Sequence, residues 1–409
     1  MMKVLLLTDV PPCTNFTAGI FLDQLISFLP VEDVACFTVL NPALDPIYPE
    51  HLLKMEMKTM PKPREDWGNS LGRLGMYRSW LMEKITAWRD NPRLVDEIAT
   101  FALKVQAEAV WCVLQGQTMI RLARPVAQKL GLPLLTSIWD PPGWWMRANK
   151  VHPRISSQVL QEFGAALRSS AATGTASWAM AEDYQQVYGA NTIPFLPSLA
   201  PALARPPAET LATAGQFTIG MAGQMYAQNE WNALIQALNQ ADWKIAGRDV
   251  RIRLLGRWAS LGANHQMFVE FLGWHSQEET IQLLSQADVL YCPYWFEAAF
   301  QEEARLSFPS KLTTYLAAGR PVFFHGPQYA SPAVFLSGRS AGECCYSLAP
   351  EVILASLEKL AVDSAYYQET ALNGNKAFLD CLTLPVLQAN FLKFIQTVSP
   401  KDQGAVENG

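Results

Sequence analysis

The sequence predicts an α/β protein built from two open, largely parallel sheets, and three observations carry that prediction. Short apolar, β-branched runs alternate with longer amphipathic runs along the chain, the pattern of strand–helix units around parallel sheets. The 409 residues are too many for one ordinary core, so two domains are expected. Between the two series of runs lies LPSLAPALARPPAETLATAGQ, Leu196 to Gln216, rich in proline and small residues and lacking a hydrophobic period, which is the composition of a linker.

The elements follow in order. Strands are expected at Lys3 to Leu7, Val34 to Val39, Ala109 to Leu114, Leu134 to Ser137, Ala171 to Thr175 and Thr192 to Phe195, with helices filling most gaps. After the linker they recur at Phe217 to Ala222, Arg251 to Leu255, Phe268 to Leu272, Val289 to Pro293 and Val322 to Phe324. This divides the chain into an N-terminal domain over 1–196, a linker over 197–216 and a C-terminal domain over 217–380. A last helix over 381–398 can pack back on the N-terminal domain, and 399–409 is a polar tail.

Charge and cysteine usage narrow the function classes. The net charge is −5 and the pI near 5.7, which argues against a nucleic-acid partner held by a general basic field. The seven cysteines have neither metal-ligand nor disulfide-framework spacing, which suits free thiols in a reducing cytosol. No apolar run reaches membrane-spanning length, so the chain is expected to be cytoplasmic, or peripheral on the inner face of the membrane.

In open α/β sheets ligands bind beyond the carboxyl ends of the strands, so the cleft between two such domains is the expected site, and four strand-to-helix loops should converge on it. The first, TDVPPCTNFTAGIFLDQL, enters a helix near Gly19, where glycine admits a ligand close to the backbone or simply makes a tight turn capped by Thr17. The second, SIWDPPGWWMRANK, puts Asp140 just past a strand, ahead of two tryptophans. The third, MAGQMYAQNEWNAL, turns at Gly223 and Gln224. The fourth gathers Glu297, Glu302, Glu303, Arg305 and Lys311 before the helix of SFPSKLTTYLAAGRPVFFHGP. That helix is read from Pro309 at its start, the apolar stripe of Leu312, Tyr315 and Leu316, and Gly319 at its end. Lys311 in the first turn is unfavourable beside the positive helix end unless something anionic docks there. Arg257, just after RIRLLG, can reach the same anion.

Three segments carry a resemblance. EFLGWHSQEETIQLLSQADVLYCPYWF and SFPSKLTTYLAAGRPVFFHGP resemble the second domain of retaining, GT-B type glycosyltransferases of family four. ASWAMAEDYQQVYGANTIPFLPSL resembles the end of that family's first domain. The resemblance implies two Rossmann-like domains facing across a cleft, a nucleotide-sugar donor held mainly by the second, an acceptor held by the first, and transfer with retention without a required metal or other cofactor. By position, it implies that Gly273, Trp274 and His275 border the base, Ser310 and Lys311 face the donor phosphates, and Gly19 approaches the same phosphates from the other domain. The chemistry then needs a stabilised departing diphosphate and an acceptor hydroxyl held on the same face.

Departures from the family pattern are equally specific. Two glutamates common in the family are here Leu306 and Thr314, and Thr314 stands where the ribose is usually gripped. An arginine and a lysine usual in the third loop are here Gln224 and Glu230, so Arg257, Arg305 and Lys311 are expected to supply the missing charge. Lys311, Arg257 and Arg305 are thus read as diphosphate stabilisers, Ser310 and Gly223 as donors, Thr314 as the ribose contact, and Glu297 or Glu302 as sugar contacts. Asp140 is a candidate contact to acceptor or sugar.

On the acceptor side, Lys54 to Arg93 holds nine basic and five acidic residues interleaved with Trp67, Tyr77, Trp80, Leu81 and Trp88. That mixture suits either an interfacial helix docking on an anionic membrane or an ordinary amphipathic helix with a snorkelling polar face. The expected activity is transfer of a hexose from a nucleoside-diphosphate sugar to a glycan, lipid-linked or small acceptor. The alternatives are a GT-B-fold epimerase or phosphorylase, and a catalytically silent scaffold.

Overall fold

The computed structural model describes residues 2–65, 72–212, 214–256 and 267–399. They fall into two compact units: unit 1 runs as far as Phe195 and resumes at Gln388, and unit 2 is Leu196–Leu387.

Unit 1 holds strands β1 (Val4–Thr8), β2 (Val34–Leu40), β3 (Glu56–Pro61), β4 (Ala109–Val113), β5 (Leu134–Ile138), β6 (Ala172–Thr175) and β7 (Thr192–Pro194). They form one parallel sheet in the order β3-β2-β1-β4-β5-β6-β7. Between them run α1 (Thr17–Ile26), α2 (Gly72–Lys104), α3 (Gly116–Leu130), α4 (Pro142–Ala148), α5 (Pro153–Ser169) and α6 (Trp178–Tyr188). The inner strands are apolar on both faces because helices cover both; Val4 to Leu7 and Ala109 to Val113 are buried without a break.

Two expectations need correction here. EMKTMP was expected to belong to a helical stretch, but it is the edge strand β3, preceded by a short 3₁₀ turn at Glu50–Lys54. Its charges mask the strand signal: Lys3 pairs with Glu56 at 2.5 Å and Lys58 with Glu97 at 2.7 Å, which suits a half-solvated edge. The second loop is likewise helical from Pro142 on, with Trp144 and Trp145 half-buried.

Unit 2 holds β8 (Gln216–Ala222), β9 (Lys244–Ile245), β10 (Arg248–Leu255), β11 (Val269–Gly273), β12 (Val289–Pro293), β13 (Val322–His325) and β14 (Gly342–Cys345). The order is β11-β10-β8-β12-β13-β14, all parallel, with β9 antiparallel on β10. Its helices are α7 (Gln228–Gln240), α8 (Gln277–Leu284), α9 (Gln301–Leu306), α10 (Ser310–Ala317), α11 (Ser331–Ser337), α12 (Pro350–Val362), α13 (Ser364–Cys381) and α14 (Leu384–Gln396), the last ending in unit 1. There Phe391 and Phe394 meet Trp111 and Phe195, with ring centroids 5.0 to 6.1 Å apart.

The proline-rich stretch read as a linker is bonded to unit 2. Arg205 N–H donates to the Ala317 carbonyl and Ala208 N–H to that of Gly319, both at 2.8 Å. Both oxygens of buried Asp288 accept N–H groups, from Ala212 at 2.5 Å and Thr218 at 2.6 Å. Gly319 makes this possible, since a Cβ there would stand 2.4 Å from the Pro206 carbonyl.

Candidate functional site

At the carboxyl edge of the unit 2 sheet three glycines end neighbouring strands. Gly223 follows β8 with φ +85°, Gly256 follows β10 with φ +117°, and Gly273 ends β11 with φ +78°. Their backbones are bonded in a row: Gly223 N–H donates to the Leu255 carbonyl at 3.0 Å and Gly256 N–H to that of Gly273 at 2.7 Å. A Cβ on Gly256 would lie 3.4 Å from the Gly223 backbone. A side chain at these angles is strained, so the chain presents a floor of bare backbone. Sequence reasoning named Gly223 and Gly273 but missed Gly256, although a glycine directly after RIRLL was a usable signal.

Lys311 overhangs one end of this floor, and a buried tyrosine puts it there. The hydroxyl of Tyr315 accepts the Ala222 N–H at 2.9 Å and donates to the Ala222 carbonyl at 3.2 Å, pinning α10 to the end of β8. Lys311 is one turn earlier on the same face of α10, so it arrives beside Gly223, where a Cβ would be 3.8 Å from its Cε. Its Nζ donates to the Gln224 carbonyl at 3.0 Å and stands 4.1 Å from the centroid of the Tyr226 ring. Burial pushes its pKa down from 10.5 to about 8. A carbonyl and a ring face stabilise the cation only weakly, so an arriving anion would hold its proton on. Ser310, exposed at the first position of α10 after the cap residue Pro309, adds a hydroxyl at the positive helix end, where the Leu312 N–H already bonds the Pro309 carbonyl at 3.0 Å.

The third and fourth loops are locked together in unit 2. Phe296 N–H donates to Glu230 Oε1 at 2.8 Å, Trp295 Nε1–H to the Tyr226 carbonyl at 2.9 Å, and Asn229 Nδ2–H to Glu297 Oε1 at 2.7 Å. The Trp295 ring lies 4.7 Å from Tyr226 and 5.1 Å from Phe300. Glu230, which stands where the family resemblance would place a lysine, is therefore a buried anchor; desolvation raises the pKa of its carboxyl, and the Phe296 N–H opposes the rise. Buried Thr314 accepts a hydrogen bond from Gln277 Nε2 at 3.0 Å. His275 Nε2 lies 2.8 Å from the Leu272 carbonyl, which can only accept, so that nitrogen carries the proton. Trp274 beside it is 77% exposed. Glu302 and Arg305 occupy the first and last turns of α9, half-buried and exposed respectively. Arg257 lies outside the described residues.

In unit 1, Gly19 answers to packing. A Cβ there would be 2.2 Å from Cys13 Sγ and 2.6 Å from the Pro11 carbonyl, because residues 11–13 fold over the start of α1. Thr17 is not the cap; Phe16 holds that position, without a side-chain bond. Asp140, half-buried after β5, has its carboxyl pKa raised by desolvation, against a hydrogen bond from Gln115. A neighbouring cluster went unread. Lys62 bonds Asp9 Oδ2 at 3.0 Å and Glu65 Oε2 at 2.8 Å, and Glu65 Oε1 accepts the Thr118 N–H at the start of α3 at 2.6 Å. Burial lowers the Lys62 pKa, but Asp9 and Glu65 overcome it and hold the group above its usual value. Missing β3 in the sequence meant missing that Lys62 stands at a strand end.

No protein-family model and no curated protein matches this sequence. Solved structures do match over almost the whole chain. The Anabaena protein HepE, in complex with UDP and glucose, aligns with TM-score 0.62 at 14% identity, over 97% of this chain and 100% of its own. Sucrose-phosphate synthase from Thermosynechococcus elongatus gives 0.64 at 14%, over 96% and 98%. Trehalose 6-phosphate synthase from Burkholderia multivorans gives 0.62 at 13%, over 97% and 99%. These neighbours are GT-B glycosyltransferases, and two parallel sheets, each with its helices, make the fold of this chain theirs as well.

Proposed function

We propose that the chain is a glycosyltransferase that moves a hexose from a nucleoside-diphosphate sugar to an acceptor hydroxyl with retention of configuration and without a required metal. The observation that carries this reading is Lys311 standing over the Gly223–Gly256 floor at the sheet edge. A diphosphate needs close backbone approach and a nearby cation, and this corner of unit 2 offers both. As the glycosidic bond breaks, negative charge grows on the departing phosphate. Lys311, the Ser310 hydroxyl and the first-turn N–H groups of α10 are the groups suited to stabilise it.

Uridine is the first base to try, because HepE, of the same fold, is seen with UDP and with UDP-glucose. The acceptor side is read as a glycan, a lipid-linked sugar or a small sugar, met in the cytoplasm or at the inner face of a membrane. The test is a thermal-shift and calorimetric screen over nucleoside diphosphates and their sugars. A ligand at about 100 times its Kd adds about 2.7 kcal/mol to folding stability. UDP or UDP-glucose should raise the melting temperature; no shift with any nucleotide would refute the reading. Anomeric proton couplings in the product would decide retention.

A further inference from the structure

Tyr226, three positions after Gly223 in the third loop, is half-buried with its hydroxyl turned inward. A partly exposed tyrosine ordinarily points its hydroxyl to water and keeps its ring against the core. Here the hydroxyl oxygen is buried and has no hydrogen-bond partner among the described residues, while the ring lies 4.1 Å from Lys311 Nζ. The ring is well packed, with Trp295 at 4.7 Å and Tyr294 at 6.1 Å, and a phenylalanine would keep those contacts. The oxygen therefore adds nothing to this packing and destabilises it, because a buried hydroxyl without a bond has lost its water for no return. Burial raises the pKa of the phenol well above 10, with smaller contributions from Cys292, Tyr294, Tyr315 and Glu303, so the group is a proton donor at neutral pH.

We propose that Tyr226 is a donor-binding residue held in reserve. With the site empty its ring covers Lys311; when a diphosphate arrives the side chain turns outward and its hydroxyl donates to a phosphate oxygen. The backbone beneath it is fixed. Trp295 Nε1–H holds the Tyr226 carbonyl at 2.9 Å, and Lys311 Nζ holds that of Gln224 at 3.0 Å. Rotation about the Cα–Cβ bond is then the motion left to bring the hydroxyl to the Lys311 side. The turn exchanges a weak ring contact of Lys311 for a phosphate and gives the hydroxyl the acceptor it lacks. It also supplies a hydrogen-bond donor to a loop in which Gln224 and Glu230 stand where the family resemblance would place cations.

This role rests on the proposed diphosphate at Lys311, and two probes keep the readings apart. The full chain labelled with 3-fluorotyrosine is followed by fluorine NMR, with Tyr226→Phe identifying the Tyr226 resonance. UDP, and separately inorganic pyrophosphate, should move that resonance. Without ligand, Tyr226→Phe should melt above the wild type, since the unbonded hydroxyl is gone. It should bind UDP at least about tenfold more weakly, since the bond to phosphate is lost. These opposite signs set a ligand-binding hydroxyl apart from a structural one. A tyrosine that only packs, or whose hydroxyl holds a buried water, would give a variant that melts no higher and binds UDP as tightly. Equal UDP affinity in the variant overturns the inference, and so does a Tyr226 resonance that neither ligand moves. A UDP-induced rise in melting temperature with the resonance unmoved sinks this inference alone. Pyrophosphate moving the resonance while no nucleotide raises the melting temperature sinks only the proposed function.

Discussion

Replacing Lys311 with methionine separates its two effects, because the same charge should aid ligand binding and oppose folding. A charge-assisted hydrogen bond contributes about 1.5–3 kcal/mol, so Lys311→Met should weaken UDP binding about 10- to 150-fold. Folding should respond in the opposite sense. Burial lowers the pKa of this amine from 10.5 to about 8. A difference of that size corresponds to about 3 kcal/mol against the charged form, and the solvent-open side of the site reduces it to about 1 kcal/mol. The sign follows from proton counts. Below about pH 8 both folded and unfolded chains carry the charge and the cost is fully present; between about pH 8 and 10.5 the unfolded chain binds more protons, so wild-type stability rises with pH. At pH 7 Lys311→Met should therefore melt no lower than wild type, and the difference should vanish above about pH 10.5. UDP affinity of the wild type should fall with pH above about 8, by at most about tenfold per pH unit, until it meets that of the variant, which should stay flat. Calorimetric titration and thermal melts across this range supply both curves. A variant that melts lower and binds UDP as tightly would refute the placement of Lys311 in a diphosphate site.

Three further outcomes follow from the same geometry. Tyr315→Phe leaves the buried Ala222 N–H without its acceptor and should cost about 1–3 kcal/mol by chemical denaturation, while weakening UDP binding because Lys311 loses its support. Gly319→Ala would put a Cβ against the Pro206 carbonyl at a positive φ, and should lower stability by about 2–4 kcal/mol in the same assay. Glu230→Gln keeps an acceptor for Phe296 N–H and should be near neutral in thermal melts, whereas Glu230→Ala should cost about 1–3 kcal/mol.

Much of the fold was legible because parallel sheets covered on both faces need apolar strands, and runs such as VLLLT, AVWCV and VLYCP announce themselves. The strands that escaped notice were β3, β9 and β14, whose short or polar sequences lack that signal. In the candidate site, Lys311 could be singled out because a cation at a helix start needs a reason, and Gly223 because it ends a strand.

The sequence alone determined two α/β units, their strand-to-helix loops and the odd charge at Lys311, since each follows from local periodicity or a helix-end rule. Tertiary structure decided what each polar residue does, because hydrogen-bond partners come from distant parts of the chain. Only there does Glu230 become an anchor for Phe296, Gly19 a packing necessity beneath Cys13, and Lys62 the centre of a cluster with Asp9 and Glu65. Charge and residue type are written locally; the atoms that compensate them are set by packing.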